Sequence, residues 1–427
     1  MRIVVVGAGA AGLSAAYLLQ LYGLEPLVLE AAPTWGGRVR SLFDFAPFPI
    51  ELGAEEIHGN QSILFEMATH LGKSTYLPEG EDYYFFNGQL SSEALIAEQE
   101  GFRAIAHFWD IIHQYQGDDI SLEELAHQQG ISTRWFPILN AWFGNAYGSQ
   151  LAHISIHSLQ HYDKAWRAGN RNYLIKNSPY TAILGEMFAD ILPLVRCQTP
   201  VQHIDYQTSI IQLTTSEGEI IPADRVVITV PLPILQQNLL TFEPALPPAK
   251  QVAIESIAME AGMKIILKFK QPFWPADMLS LYTDGYVPEY WTTATGKSET
   301  AYLLTAFITG AKAAYLAQQG EQQALQLVLQ ELDYAFGNQA ATQAFEAHYW
   351  FDWAAEPFVR GSYSCPSPDS HLFRPQLALP VENRLFFAGE ATHTAHFATV
   401  HGAMESANLA VEALLNTLPE GTYKKPD

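Results

Sequence analysis

Ile3-Val4-Val5-Val6-Gly7-Ala8-Gly9-Ala10-Ala11-Gly12-Leu13 opens the chain and decides its first structural unit. Four β-branched residues in a row suit a short strand buried on both faces. Gly7, Gly9 and Gly12, with Ala11 before the last, fit G-x-G-x-x-G, and an apolar helix from Leu13 to Leu21 follows. A second strand, Leu27-Val28-Leu29, ends in Glu30, 18 residues past Gly12. Such glycines let backbone approach a pyrophosphate, and the helix N-terminus offers it N–H groups and a positive dipole end. An acid at the second strand end accepts from ribose hydroxyls. A glycine-tolerant turn would explain the glycines alone, but not strand, helix and acid together at this spacing. The opening unit is expected to bind a dinucleotide.

The rest of the chain sets bounds on what surrounds that unit. At ~150 residues per domain, 427 residues predict two or three units. A composition 48% hydrophobic and 16% charged excludes a disordered chain. Asp and Glu total 45 against 23 Lys and Arg, a net charge of −22. That excludes the basic footprint of a nucleic-acid binder. It fits a cationic ligand drawn in by the summed field, and fits plain solubility equally well. Cys197 and Cys365 lie far apart without a C-x-x-C, which excludes a disulfide framework, a zinc ribbon and a dithiol pair. Residues 3–24 carry no charge and follow Arg2, so they mimic a signal peptide or anchor. Gly7, Gly9, Gly12 and Gly23 make them strand, turn and helix instead. No other stretch suits a bilayer span and Tyr423 to Asp427 is polar, so a soluble, cytoplasmic protein without a membrane partner is expected.

After Glu30 the chain continues Ala31-Ala32-Pro33-Thr34-Trp35-Gly36-Gly37-Arg38-Val39. This glycine pair with its arginine resembles the segment that follows the dinucleotide fold in the flavin-containing amine oxidase family. The resemblance implies FAD, with Gly37 and Arg38 close to the flavin diphosphate. The family usually has a basic residue where Thr34 stands, which leaves diphosphate neutralisation to Arg38. There is no second G-x-G-x-x-G of the kind an NADPH-reduced flavoprotein commonly carries, so electrons are expected to enter from the substrate.

Three further blocks carry the resemblance. Leu52-Gly53-Ala54-Glu55-Glu56-Ile57-His58-Gly59 is similar to a polyamine oxidase segment whose backbone, here Gly53 and Ala54, lines the flavin. By the same resemblance Glu55 and His58 face the substrate, and an imidazole can accept a proton near neutral pH. Glu260 to Phe269, followed by Phe273-Trp274-Pro275, alternates with period two. Lys264 and Ile266 share one face, Leu267 and Phe269 the other, and a lysine at the start of an apolar strand is costly to bury without partners. The matching family lysine holds a water against the flavin. Phe387-Ala388-Gly389-Glu390-Ala391-Thr392, then Thr399-Val400-His401-Gly402-Ala403, resembles the C-terminal family signature. There Gly389 begins the turn, Glu390 contacts the ribityl chain, and a helix beginning near Val400 turns its positive end to the ring.

Lesser matches complete the picture. Trp353 to Ser364 resembles a polyamine oxidase stretch that puts Tyr363 on one wall of the aromatic cage and Thr399 where the second wall stands in monoamine oxidases. Ser362 takes the place of the flavin-linking cysteine of those enzymes, so FAD is expected to be non-covalent. Val201 resembles the strand position whose backbone meets adenine. The resemblance covers 3–59, 199–204, 260–275, 353–364 and 386–407, and only loosely 61–180, where substrate choice is made.

The resemblance thus implies an α/β fold in which a Rossmann-like FAD-binding domain (1–60, 180–255 and 370–427) is interleaved with a substrate-binding domain of mixed sheet and helices (61–179 and 256–369). It implies oxidation of spermine or spermidine, a small cationic amine, with dioxygen or another acceptor reoxidising the flavin. His58 leans the reading towards back-conversion, because terminal-catabolism enzymes of the family tend to carry Glu there. An L-amino-acid oxidase or another flavin desaturase on the same scaffold would need a carboxylate clamp, for which Arg103, Arg134, Arg167 and Arg171 are available, or a long apolar tunnel. A non-catalytic FAD-binding protein would have no need of Lys264 and His58. His153, His157 and His161 repeat every four residues, yet without H-E-x-x-H they read as a polar, partly exposed stripe rather than a zinc site. Tyr83-Tyr84-Phe85-Phe86 reads as a buried strand.

Overall fold

The computed structural model describes residues 1–419 and 421–424, so the last residues of the polar tail lie outside the described residues. Ile3–Val6 is a strand with all four side chains buried. It is the middle strand of a five-stranded parallel sheet, ordered Val195–Arg196, Pro26–Leu29, Ile3–Val6, Arg225–Ile228, Leu385–Phe387. Val4 pairs with Leu27 on one side and Val226 on the other. Ile3 and Val5 pack with Leu13, Leu19 and Leu414 of two helices, while Val4 and Val6 pack with Ile204 and Leu213 beneath. A strand covered on both faces has to be apolar at every position, which is why this segment does not alternate. The uncharged run from residue 3 is therefore a strand, a glycine turn and the helix Ala10–Leu21. No helix of the described residues is long and apolar enough to cross a membrane.

The layer beneath is a four-stranded sheet ordered Ile220–Ala223, Ile211–Thr215, Val201–Asp205, Thr241–Glu243. A seven-stranded sheet lies elsewhere, ordered Phe345–Asp352, Gly262–Phe269, Tyr302–Thr309, Glu289–Thr292, Met278–Thr283, Glu81–Phe86, Gln89–Ser92. Its pairings are antiparallel except Met278–Thr283 with Glu81–Phe86, so the sheet is mixed. The parallel sheet thus draws on both ends and the middle of the chain, and the seven-stranded sheet on the stretches between. The α/β class and the mixed-sheet character are those expected.

In Gly262–Phe269 the period-two pattern is visible in the packing. Met263, Ile265, Leu267 and Phe269 join Leu304, Ile308 and Leu332, whereas Ile266 faces Phe48, Ile50 and Leu52. Lys264 shares that second face. Tyr84, Phe85 and Phe86 are buried in their strand, as the aromatic run suggests. The three spaced histidines do not converge: His153 bonds Glu260 at 2.8 Å, His157 the Gly117 carbonyl at 3.0 Å, and His161 lies tilted against His371 with ring centroids 5.3 Å apart.

Candidate active site

A single cavity of about 1200 Å³ runs from the C-terminal end of the parallel sheet to the seven-stranded sheet. That exceeds the ~300–1,000 Å³ of an ordinary small-molecule site, so a dinucleotide and a second ligand fit together. Every residue assigned from the sequence to the flavin or the amine lines it except Gly12. Gly12 is a correction: it stands behind the turn, where an added Cβ would lie 1.9 Å from the Gly7 carbonyl oxygen. Its glycine serves helix–strand packing rather than ligand approach.

Gly7 adopts φ +106, which side chains rarely tolerate, and passes the chain under Thr229. Gly9 and Gly36 form a parallel bridge, and the Gly36 N–H donates to the Ala8 carbonyl at 2.9 Å. Gly9 and Gly37 therefore face each other without side chains, making a bare floor that Ala11 continues. The helix Ala10–Leu21 starts at Gly9 with no side-chain cap, so its first N–H groups remain for a phosphate. Glu30 lies at the end of the second strand, accepting from Ala8 N at 2.6 Å and Ala32 N at 2.8 Å. Burial raises its pKa and those N–H groups oppose the rise. Val201 lines the same end. Bare glycine backbone, an uncapped helix start and an acid beyond it together fit the diphosphate and ribose of a dinucleotide.

Arg38 reaches across this cavity to Glu390, with Nη1 2.9 Å from Oε1, and also donates to the Ser362 carbonyl. Its charge is thus already paired where the resemblance gave it to a diphosphate alone. Glu390 follows Gly389, whose N–H donates to Ser406 Oγ at 2.8 Å. The helix Val400–Leu415 begins at Thr399, whose hydroxyl accepts from Gly402 N at 2.9 Å and donates to the His396 carbonyl at 2.7 Å. The Thr399 hydroxyl is therefore already engaged within the helix start.

Gly53 can only be glycine, since a Cβ would lie 1.9 Å from the Arg38 carbonyl oxygen, and Ala54 N donates to that same carbonyl at 3.1 Å. This close approach brings the carbonyls of Glu51 and Gly53 within 3.0 Å of Lys264 Nζ. Glu55, expected on the substrate, instead places Oε2 2.7 Å from the same nitrogen. Only 5% of the Lys264 side chain is exposed.

His58 has a definable tautomer. Asn172 Nδ2 donates to Glu56 Oε2 at 2.8 Å, which turns its Oδ1 towards His58 Nδ1 at 3.0 Å. A carbonyl oxygen accepts, so Nδ1 is the donor in this contact and Nε2 is left unengaged by it. Tyr363 is anchored by its hydroxyl, which donates to the Ala146 carbonyl at 2.8 Å beside the π-helical turn Asn140–Asn145.

The sequence reading missed the acids and much of the aromatic wall. Glu56, Asp163 and Glu289 line the cavity, with Trp166 and Trp291 among the rings. Burial pushes Glu289 up to about 8, and Glu56 and Asp82 add to the rise. Burial likewise raises Glu56, with His58 opposing. Burial and these two acids raise the Tyr363 phenol as well. Glu289 sits within a strand, where one acid among aromatics resembles any solvated edge position. Nothing local marks it as facing a cavity.

A second group lies behind the Val400 helix start. Glu405 Oε2 is 3.2 Å from His393 Nε2 and 2.6 Å from His396 Nδ1. His393 Nδ1 accepts from Ala395 and His396 N–H groups, and His396 Nε2 accepts from Arg167 N. Neutral rings therefore turn their N–H groups toward Glu405, the tautomer opposite to that of a metal ligand.

The profile of the family described as flavin containing amine oxidoreductase matches residues 10–150 and 194–415. Polyamine oxidase 3 of Oryza sativa subsp. japonica is 28% identical, over 96% of this chain and 88% of that protein. Lysine-specific histone demethylase 1B of Mus musculus is 29% identical over 94% of this chain and 51% of that protein. Among solved structures, a wild-type putrescine oxidase bound to putrescine superposes with a TM-score of 0.79 at 19% identity, covering 97% of this chain and 99% of the other. Cyclohexylamine oxidase from Brevibacterium oxydans gives 0.80 at 21% identity, covering 97% and 98%. With the glycine cradle, the paired acid and the buried lysine all in one cavity, the chain belongs to the flavin-containing amine oxidoreductases, FAD-dependent enzymes that oxidise amines.

Proposed function

We propose that this enzyme oxidises a polyamine, spermine or spermidine, at a carbon next to nitrogen. The observation that carries the reading is the pair Glu56 and Glu289. Both line the cavity, and neither is paired with Lys or Arg among the described residues. Glu289 is held away from bulk water, which is costly for a carboxylate unless a cation meets it, while Glu56, 43% exposed, adds negative charge to the same wall; a polyamine carries several cations. Aromatic walls, Tyr363 among them, add cation–π attraction. Bound FAD supplies the hydride acceptor, and the substrate imine is then hydrolysed to an aminoaldehyde and a shorter amine, with dioxygen or another acceptor restoring the flavin.

The protein's own tasks follow from its groups. Hydride can leave only from a carbon beside an unprotonated nitrogen, so the reacting ammonium has to lose a proton. His58, whose Nδ1 is held by Asn172, is the group assigned to take it through Nε2. Glu56 and Glu289 hold the remaining ammonium groups in place. Gly7, Gly9, Ala11, Gly37, Gly53 and Ala54 would form the backbone cradle of the cofactor, Glu30 and Val201 would meet its adenosine end, and Lys264 lines the same cavity. Neither Cys197 nor Cys365 lines the cavity, and burial pushes the Cys365 thiol up to about 12, in keeping with non-covalent FAD. In this reading residues 1–60, 180–255 and 370–427 are the cofactor domain, and 61–179 and 256–369 the substrate domain, of a cytoplasmic enzyme.

An L-amino-acid oxidase is the weaker reading. Arg103, Arg134, Arg167 and Arg171, the candidate carboxylate clamps, do not line the cavity. The test is anaerobic mixing of the yellow holoenzyme with spermine, spermidine, a monoamine and an L-amino acid. Bleaching by the two polyamines in preference to the others is expected. Bleaching by the amino acid alone would overturn the proposal.

A further inference from the structure

The strand Glu289–Thr292 is four residues long, Glu-Tyr-Trp-Thr, too short and too mixed for its own pattern to fix which face meets the cavity. In the structure Glu289 and Trp291 line the cavity, while Tyr290 is buried on the other face with Val328 and Leu332 of the helix Glu321–Phe336. Glu289 stands between Tyr282 and Phe307 of the neighbouring strands, which line the cavity too. A slip of one residue would exchange the faces, putting the phenol in the cavity and the carboxylate in the core.

A buried acid of that helix opposes the slip. Glu331 is 8% exposed, and its carboxylate accepts from the Tyr290 hydroxyl at 3.0 Å, from the Val287 N–H at 3.4 Å and from the Tyr286 N–H. All three donors flank Glu289 in the chain. Gly285 comes so close that a Cβ there would run into Glu331 Oε2, and Lys312 Nζ donates to the Gly285 carbonyl at 2.5 Å. Burial pushes Glu331 up to about 7, with the Tyr286 N–H and the Tyr290 hydroxyl opposing the rise. Glu331 itself does not line the cavity.

We propose that Glu331 is a positioning residue. By gathering the Gly285–Tyr290 segment around its carboxylate, it fixes the register of the Glu289–Thr292 strand and holds the Glu289 carboxylate on the cavity wall. There Glu289 selects for a substrate that carries a second ammonium group. That last consequence rests on the polyamine reading, whereas the placement of Glu289 does not.

Two measurements on the holoenzyme test this above about pH 8, where both acids are ionised. In the first, Glu289→Cys is alkylated with iodoacetamide, with and without Glu331→Gln, after subtraction of the Cys197 and Cys365 background. Glu331→Gln turns an amide N–H towards one of the three donors, so the segment loosens and the new thiol should react severalfold more slowly. An equal or faster rate overturns the proposal. In the second, anaerobic flavin reduction by spermine gives a Kd and a limiting rate. Glu331→Gln should raise the Kd roughly tenfold and leave the limiting rate near wild type. Added to Glu289→Gln it should cost nothing more, because both act through one carboxylate; losses that simply add, as from a general loosening, overturn it. A wild-type Kd in Glu289→Gln, or no bleaching by spermine at all, removes the polyamine reading, and alkylation still decides the role of Glu331. If Glu331→Gln does not fold, Tyr290→Phe takes its place, removing one donor and keeping the ring. Slower alkylation is expected there as well, and a wild-type rate refutes the assignment.

Discussion

Arg38 and Glu390 meet at 2.9 Å although 352 residues separate them in the chain. Glu390 also accepts from Ser364 Oγ at 2.6 Å and Ala398 N at 2.9 Å, so one carboxylate ties four segments to the cavity wall. Burial alone would raise its pKa, yet Arg38, Ser364 and Arg374 together hold it below the ordinary carboxylate range.

Replacing Glu390 by Gln should therefore destabilise the holoenzyme and weaken FAD retention. Breaking a buried pair costs about 3–5 kcal/mol, and the lower end applies because 26% of the Arg38 side chain is exposed. The sign with pH is set by the lowered value: the contribution is present above the unfolded carboxylate range and lost as pH falls through the folded one. Urea unfolding at pH 7 and at acid pH checks both points, and the variant should show a shallower acid limb.

Gly9 and Gly12 should fail in different ways. A methyl on Gly12 would collide with the Gly7 carbonyl at 1.9 Å, so Gly12→Ala should lower thermal stability and soluble yield. A methyl on Gly9 meets nothing closer than Gly37 Cα at 3.9 Å. Gly9→Ala should keep the apoprotein melting temperature while weakening FAD binding roughly tenfold or more, because the floor is no longer bare. Thermal melts and flavin titration of both apoproteins distinguish the outcomes.

Glu289 ionises at about 8 in the structure. Below that it is largely protonated and a poor partner for an ammonium group; above it the carboxylate is formed. The ratio of kcat/KM for spermine between wild type and Glu289→Gln should rise between about pH 7 and pH 9. Titration of the amine itself cancels in that ratio. A flat ratio would remove Glu289 from substrate binding.

His401 is 1% exposed, its Nε2 lacks a hydrogen-bond partner among the described residues, and it occupies the first turn of the Val400 helix. Burial first, then the neighbouring His396, push its pKa down to about 3. The positive helix end also disfavours an imidazolium there. A depressed folded value means the unfolded chain binds the proton first, so stability is intact above the ordinary histidine range and falls below it. The slope approaches roughly 1.4 kcal/mol per pH unit. His401→Gln should flatten the loss between pH 6.5 and 5 in urea titrations.

The net charge of −22 gains a use if polyamines are the substrate. Field-assisted capture predicts a kcat/KM for spermine that falls steeply with added salt, since exposed charges are screened within about 8–10 Å at 0.1–0.15 M. A salt-independent kcat/KM would leave the acids as a solubility feature.

Much of the cofactor side was legible because its determinants are local. Ile3–Val6, the glycine turn, the Ala10–Leu21 helix and Glu30 lie within one short stretch, where strand apolarity, φ > 0 and helix starts are written residue by residue. The same holds for Gly389 to Val400 and for the face that Lys264 takes in its strand. Spacing also showed that a lysine so placed needs partners.

Which partners it has, the chain order could not say. Glu55 joins Lys264, Glu390 joins Arg38 and Glu289 faces the cavity only because strands from distant segments are brought side by side, and a single acid carries no local sign of the wall it will line. Gly12 shows the reverse limit: it belongs to the motif by spacing, yet tertiary contact with the Gly7 carbonyl, not the ligand, is what demands glycine there. The sequence by itself determined the dinucleotide unit, the family and the identity of the chemical groups. Tertiary structure alone decided their pairing, burial and protonation, because those depend on distances between residues far apart in the chain and on how much water the fold removes from around them.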